Sequence, residues 1–338
     1  MTHVCLTIAA VTMTLMFAFV NGFHDGCNVM ATIVSSRTMQ PGKTLALACL
    51  IEFSAPLILG TAVANTVGNS ILDISKLNPE SYAASFIVIF AALIGSIAWN
   101  LFTWRIGLPS SSSHALIGGL IGAGASIFGI AAIHWDSFFW KVVLMLFLTP
   151  VIGFAVSYIL IKILKKMVDR CHRNINGFFK FIQVFSRIFL ASSHSSNDSQ
   201  KSMGILAIIL VTAGVFQKFT IPLWTMVVCS LAISLGLSMG GWKIVKTVGT
   251  KIYKIKPFHS FNSQLSAAFV IMTAGFLGSP VSTSQIVSSS IIGTGAGERL
   301  NAVNWRTVKE IIISWLITIP CSALVAVVIS LCMRFLFL

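Results

Sequence analysis

The sequence predicts an all-α polytopic membrane protein made of two inverted-topology repeats, whose discontinuous half-helices meet at the bilayer midplane. Three observations carry that expectation. Of 338 residues, 56% are hydrophobic and only 9% charged, more apolar surface than a soluble chain of this length can bury. A glycine- and serine-rich stretch at residues 107–124 returns at 278–295, with Gly107/Gly278, Pro109/Pro280, Ser111/Ser282, Ser113/Ser284 and Gly122/Gly293 in register. Finally, corresponding loops of the two halves differ in charge, acidic in one and lysine-rich in the other.

Apolar runs at residues 4–22, 44–64, 82–104, 111–133 and 138–161 make a first half; runs at 202–215, 222–240, 263–278, 282–297 and 311–331 make a second. The first run has no basic segment before it and no small-residue cleavage site after it, so it reads as a membrane helix rather than a signal peptide. Residues 1–161 form one repeat and 188–338 the other. Between them lies a basic linker, 162–187, with seven Lys/Arg and one acid. Seven cysteines are scattered without a CxxC pair. They imply neither a disulfide framework nor a metal site.

The repeat extends beyond the serine motif. Each half carries a polar island in apolar context, at 21–28 and 194–201, and a Thr-Val-Gly, at Thr66 and Thr247. After the first Thr-Val-Gly come Asp73, Lys76 and Glu80; around the second come Lys243, Lys246, Lys251, Lys254 and Lys256 with no acid. Basic loops stay cytoplasmic, so the halves are inverted and both termini lie outside. Only Lys76, Lys141, Lys218 and Arg334 then fall on the outer side, with Lys201 inside the membrane. The net charge of +14 is thereby a topology signal and not a nucleic-acid footprint. Inverted repeats with broken helices are a transporter architecture.

Each serine motif begins Gly-x-Pro and runs into a glycine-spaced apolar helix. The free N–H groups of a helix start, its partial positive charge and nearby hydroxyls together favour an oxyanion. Ser111, Ser112, Ser113 and His114 from one half, with Ser282, Thr283, Ser284 and Gln285 from the other, form the candidate substrate cradle. For a single motif, close packing of small residues in lipid is the simpler reading; repetition turns the balance.

Asp25, Glu52, Asp198 and Lys201 sit in or against apolar spans, where each ion costs about 2.5–3.5 kcal/mol and marks a substrate or ion path. Asp198 and Lys201, at i and i+3, are also spaced to form a plain helix ion pair. His24 and His194 read equally well as packing residues. A dianion beside two carboxylates is repelled unless cations or protons stand between them, which is a requirement for symport. Asn28, three residues after Asp25, supplies a neutral oxygen that a sodium ion accepts. Lys201 holds the same place after Asp198. An ammonium there leaves one cation site fewer, and a proton on Asp25, Glu52 or the substrate becomes the expected coupling ion.

These motifs resemble the inorganic phosphate transporter (PiT) family in its bacterial low-affinity form. Asn21-Gly-Phe-His-Asp25 with Asn28, the segment running on to Arg37, His194 through Gly204, and the two serine starts carry the resemblance over nearly the whole chain. It implies phosphate at the serines, coupling ions at Asp25, Asn28 and Asp198, and an acidic site at Glu52. It also implies a homodimer in the lipid of the bacterial cytoplasmic membrane, with no cofactor beyond H+ or Na+. Ser195 and Ser196 depart from the family's smaller residues and predict a tighter helix break there. Gln285 stands where histidine is common.

Two other substrates or chemistries compete. Sulfate suits the same fold, and neutral Gln285 favours an anion that carries no proton. An intramembrane serine hydrolase is suggested by Ser113 and His114 beside buried acids. Adjacent helical residues point about 100° apart, so those two cannot pair as nucleophile and base, and no GxSxG elbow is present. A receptor with an inactive transport core would not need both cradles.

Overall fold

The computed structural model describes residues 2–70, 82–168 and 175–337, and all regular structure among them is helical. The first half runs α1 (Thr2–Asp25), α2 (Cys27–Ser35), α3 (Pro41–Ile58), α4 (Ala62–Ser70), α5 (Tyr82–Ile106), α6 (Ser112–Phe128), α7 (Trp135–Phe138) and α8 (Leu144–Val168). The second runs α9 (Ile175–Thr212), α10 (Leu223–Ser238), α11 (Trp242–Lys246), α12 (Pro257–Phe276), α13 (Thr283–Glu298) and α14 (Trp305–Phe337). Among the described residues, five stretches are long and apolar enough to cross a membrane; α10 with α11, bent by 64°, makes a sixth if taken as one span. At 17 and 16 residues, α6 and α13 fall short of the roughly 20 a span needs. They are the half-helices. Asp73, Lys76, Glu80 and Cys171 lie outside the described residues.

The repeats match in detail. Gly107 (φ 75°) and Gly278 (φ 67°) end α5 and α12 in the left-handed conformation, which glycine adopts without strain. Leu108 N–H then bonds Thr103 O at 3.0 Å, and Ser279 N–H bonds Ala274 O at 2.9 Å, the Schellman pattern of helix ends. After α6 and α13, a 3₁₀ turn leads to Trp135 and Trp305, whose indoles donate to Ile130 O (3.1 Å) and Leu300 O (3.2 Å). Pro150 and Pro320 then stand at matching places inside α8 and α14.

Packing exchanges elements between the repeats. The half-helix α6 lies on α14, and α13 lies on α8. A Cβ on Gly122 would stand 2.3 Å from Ala323 O, and one on Gly293 2.3 Å from Phe154 O. Likewise α1 crosses α10 and α9 crosses α3. At the first crossing the approach is reciprocal: a Cβ on Gly22 would meet Ile233 O at 2.0 Å and one on Gly236 would meet Phe19 O at 1.9 Å. The halves are therefore repeats and not separately packed domains. Nor is 162–187 a loop where it is described: Lys162 belongs to α8, and Arg187 to α9.

The expected break at Ser195–Ser196 is absent, and the expected run starting at 202 is the end of a 38-residue helix, α9. The reason lies in α3. Pro56 has no N–H to give the Glu52 carbonyl four residues earlier, and Ser195 Oγ donates to that carbonyl at 2.6 Å. The hydroxyl satisfies a neighbour's backbone and leaves its own helix intact. In the first repeat the chain does break, at Gly26, between α1 and α2.

Candidate functional site

Both half-helices start in the protein interior. Ser111 and Ser282 are their N-caps, accepting from His114 N–H (3.2 Å) and Gln285 N–H (3.4 Å). Two of the predicted cradle hydroxyls thus accept bonds from their own helices. The next hydroxyls turn to acids. Asp25 accepts from Ser112 of its own repeat, from Ser284 of the other at 2.7 Å, and from His24 Nδ1 at 2.7 Å. Asp198 accepts from Thr283 at 3.1 and 3.2 Å and from Lys201 Nζ at 2.5 Å.

Among the hydroxyls that pattern is symmetric with one exception. Ser112 and Thr283 are equivalent, and each holds its own repeat's aspartate. Ser113 is equivalent to Ser284, yet it donates to Val281 O (3.3 Å) instead of to Asp198. Lys201 takes the place, bonded to Asp198 and, at 3.2 Å, to the same Val281 carbonyl. A fixed ammonium replaces a hydroxyl at the second carboxylate, which is why the two sites differ chemically.

Glu52, read from sequence as an ion-path residue, reaches the cluster through a histidine. His194 Nδ1 lies 2.9 Å from Glu52 Oε1, and its Nε2 is 3.4 Å from Asp198 Oδ2, an ion-pair distance without a directed bond. His24 similarly joins Asp25 to Thr103 (3.1 Å) and Ser110 (3.3 Å). From sequence both histidines read equally well as packing residues; in the structure both sit on carboxylates. The signal was their adjacency to the aspartates, directly before Asp25 and one turn before Asp198. All of these side chains are buried, so hydroxyls, imidazoles and one ammonium, and not bulk water, surround the carboxylates.

Some predicted residues carry side-chain atoms without a partner. Both amide atoms of Asn28 and of Gln285, His114 Nδ1 and Glu52 Oε2 are buried without a hydrogen bond, as are both amide atoms of Asn21 and Asn100. Leaving such a group unsatisfied costs about 1–3 kcal/mol. These are the atoms with capacity for an ion, a water or an oxyanion, and the Asn28 amide oxygen is of the type hard cations take.

The chain has counterparts among known proteins. The model of the phosphate transporter family matches residues 21–176 and 168–326, one match to each repeat. The chain belongs to the phosphate transporter family. Its relatives there include a probable low-affinity inorganic phosphate transporter of Bacillus subtilis (strain 168), 41% identical over 320 residues, with 94% of each chain covered. Another, from Rhizobium meliloti (strain 1021), is 39% identical over 323 residues, covering 95% of this chain and 94% of its own. A solved structure of "the sodium-dependent phosphate transporter" superposes with a TM-score of 0.87 at 24% identity, over 99% of this chain and 100% of that one. The fold is thus the one this transporter family uses, and its members are transporters rather than enzymes. In this family member Ser113 and His114 have no hydrolytic geometry, since the Ser113 hydroxyl is bonded to a backbone carbonyl.

Proposed function

We propose that this chain is a secondary active symporter of inorganic phosphate in a bacterial cytoplasmic membrane, driven by protons in preference to sodium. The observation that carries the reading is the convergence of two half-helix starts on one buried cluster, with Ser112 and Ser284 on Asp25 and Thr283 on Asp198. Ser112 and Ser113, with Thr283 and Ser284, bring first-turn N–H groups and hydroxyls that suit an oxyanion. When phosphate arrives, these hydroxyls turn from carboxylate to phosphate, and the carboxylates need a proton or cation in exchange. Relatives described as phosphate transporters support the substrate.

Two features support the proton. Lys201 already neutralises Asp198, where a second cation would otherwise sit. Glu52, His194 and Asp198 then form a line along which a proton passes between carboxylates. The structural neighbour described as sodium-dependent supports cation coupling as such, and Asp25 with Asn28 is where a sodium ion would bind here. Both termini outside and a homodimer complete the reading. The deciding experiment is phosphate uptake in proteoliposomes driven by a pH gradient without sodium, beside uptake driven by sodium at equal pH. Strict sodium dependence would end the proton assignment.

Sulfate is the second reading, favoured by Gln285, whose buried amide is neutral and unpartnered. Excess sulfate that abolishes labelled phosphate uptake would favour it.

A further inference from the structure

Arg187 lies on α9 eleven residues before Asp198, and its side chain is fully buried. Its guanidinium donates to the Thr44 carbonyl and, at 3.1 Å, to Met39 Sδ; its Nε–H has no partner. None of the ion pairs among the described residues includes it. Arginine does not shed its proton in proteins, and a buried charge is strongly unfavourable unless it is paired.

The surroundings are polar in an ordered way. Asn28 and Thr32 of α2 and its C-cap Ser36 recur every fourth position and share a face. Gln264 of α12 donates to Thr32 (2.7 Å) and accepts from Ser186 (2.9 Å). Gln183, one turn before Arg187, accepts from Thr38 (2.7 Å) and donates to Ser36 (3.2 Å) and to Ser260. Through the Ser186 hydroxyl on the Gln183 carbonyl (3.0 Å), a hydrogen-bonded seam therefore runs from Thr32, one turn beyond Asn28, toward the start of α9.

Its counterpart in the other repeat is apolar. Eleven residues before Asp25 stands Thr14, whose hydroxyl is bonded to Ala10 O at 2.9 Å. Counted likewise from the aspartates and from the glycine turns, Thr32, Ser36, Ser260 and Gln264 correspond to Ile205, Ile209, Ile89 and Leu93. Those four pack in one cluster with Phe17. The same helices close one end of the site with hydrocarbon and line the other with amides, hydroxyls and a lone cation. Packing alone favours the first solution at both ends.

We propose that Arg187 is an oxyanion relay: a second anion site, reached by the substrate through the polar seam, between the serine cradle and the face where α9 begins. The proposal rests on the reading of the chain as a phosphate carrier. At 1.5 Å per residue, Arg187 lies about 16 Å along α9 from Asp198, too far for one phosphate to touch both. It is a separate station, with Gln183 and the seam hydroxyls replacing their mutual bonds by bonds to the anion.

The test uses Thr38→Cys on a cysteine-free background, in proteoliposomes that retain phosphate uptake, with thiol reagents applied from the α9 face. The relay predicts that an anionic methanethiosulfonate reacts at least tenfold faster, relative to a cationic one, than it does after Arg187→Met. Inorganic phosphate should slow the anionic reagent, and should still do so with Thr283→Ala disabling the central cradle. Arg187→Lys should restore most of the charge preference. Rates blind to reagent charge, absence of phosphate protection, or no labelling in a transporting protein would each overturn the relay; a purely structural tie to Thr44 predicts the first two. Should Arg187→Met fail to fold, Gln183→Cys with Arg187 intact is read for the same preference and protection, with the same outcomes deciding. A wild-type protein that carries no phosphate sinks the transport reading and the relay together, whereas transport with charge-blind labelling sinks the relay alone.

Discussion

Ser284, in the second repeat, donates a 2.7 Å hydrogen bond to Asp25, in the first. With Ser112 on the other carboxylate oxygen, it makes Asp25 a junction of both half-helices, so a change at either start is felt at the same acid. Losing one hydroxyl donor to a charged ligand costs about 1.5–3 kcal/mol. Ser112→Ala and Thr283→Ala should each raise the KM for phosphate uptake at least tenfold at normal expression. Wild-type kinetics in both variants would remove the serines from the substrate site.

Lys201 is the point where the repeats stop being equivalent. Lys201→Asn should free Asp198, let Ser113 turn to it as Ser284 turns to Asp25, and open a cation site. Under the proton-coupled proposal, uptake in the variant is expected to gain a sodium dependence over that of the wild type. Initial rates with and without sodium at constant pH measure it, and an unchanged ion dependence would show that the lysine only braces the helix.

Much of this arrangement was legible in the sequence. The Gly-x-Pro-serine starts, the paired aspartates and the short helices behind them follow from local chemistry, because helix starts and turns are encoded within a few residues. The continuity of α9 was not, because the explanation sits in another helix: Pro56 creates the need that Ser195 meets. The same holds for His194, placed between Glu52 and Asp198 by a packing of α3 on α9 that no spacing reveals. Trp135 and Trp305 did carry a readable signal, six residues beyond the glycine or arginine that ends each half-helix.

The Ser195–Glu52 bond yields a paired test. Ser195→Ala strands a buried carbonyl and should destabilise the protein by about 1–3 kcal/mol. Adding Pro56→Ala restores an intrahelical donor for that carbonyl, so the double variant should recover part of the loss. Thermal unfolding of the purified protein in detergent reads both steps; equal losses with and without the proline would discard the explanation.

At the α1–α10 crossing no side chain fits between the backbones. Gly22→Ala and Gly236→Ala should each lower stability by about 1–3 kcal/mol or more, the usual cost of overpacking. Melting temperatures measure this, and Gly42→Ala, where a Cβ meets nothing within 4 Å, is the control expected to stay near wild type.

The topology proposed from the loop charges has the α11 region inside the cell and the segment before α10 outside. In intact cells, an impermeant thiol reagent should label Lys218→Cys and not Lys251→Cys, both exposed positions. The reverse pattern would invert the orientation and, with it, the side on which Arg187 acts.

The exchange of partners between repeats has a consequence for how the protein is made. The half-helix α6 is too short to span the bilayer and has a serine-lined start, yet the helix it rests on, α14, begins only at Trp305, far behind it in the chain. At about 5–20 residues per second, α6 waits on the order of ten to forty seconds for its support. Through that interval the nascent chain holds a half-helix whose support has not been synthesised. Assembly of the first repeat therefore waits on the second, and a chain stopped short of α14 loses the foundation of its N-terminal half-helix as well as a span.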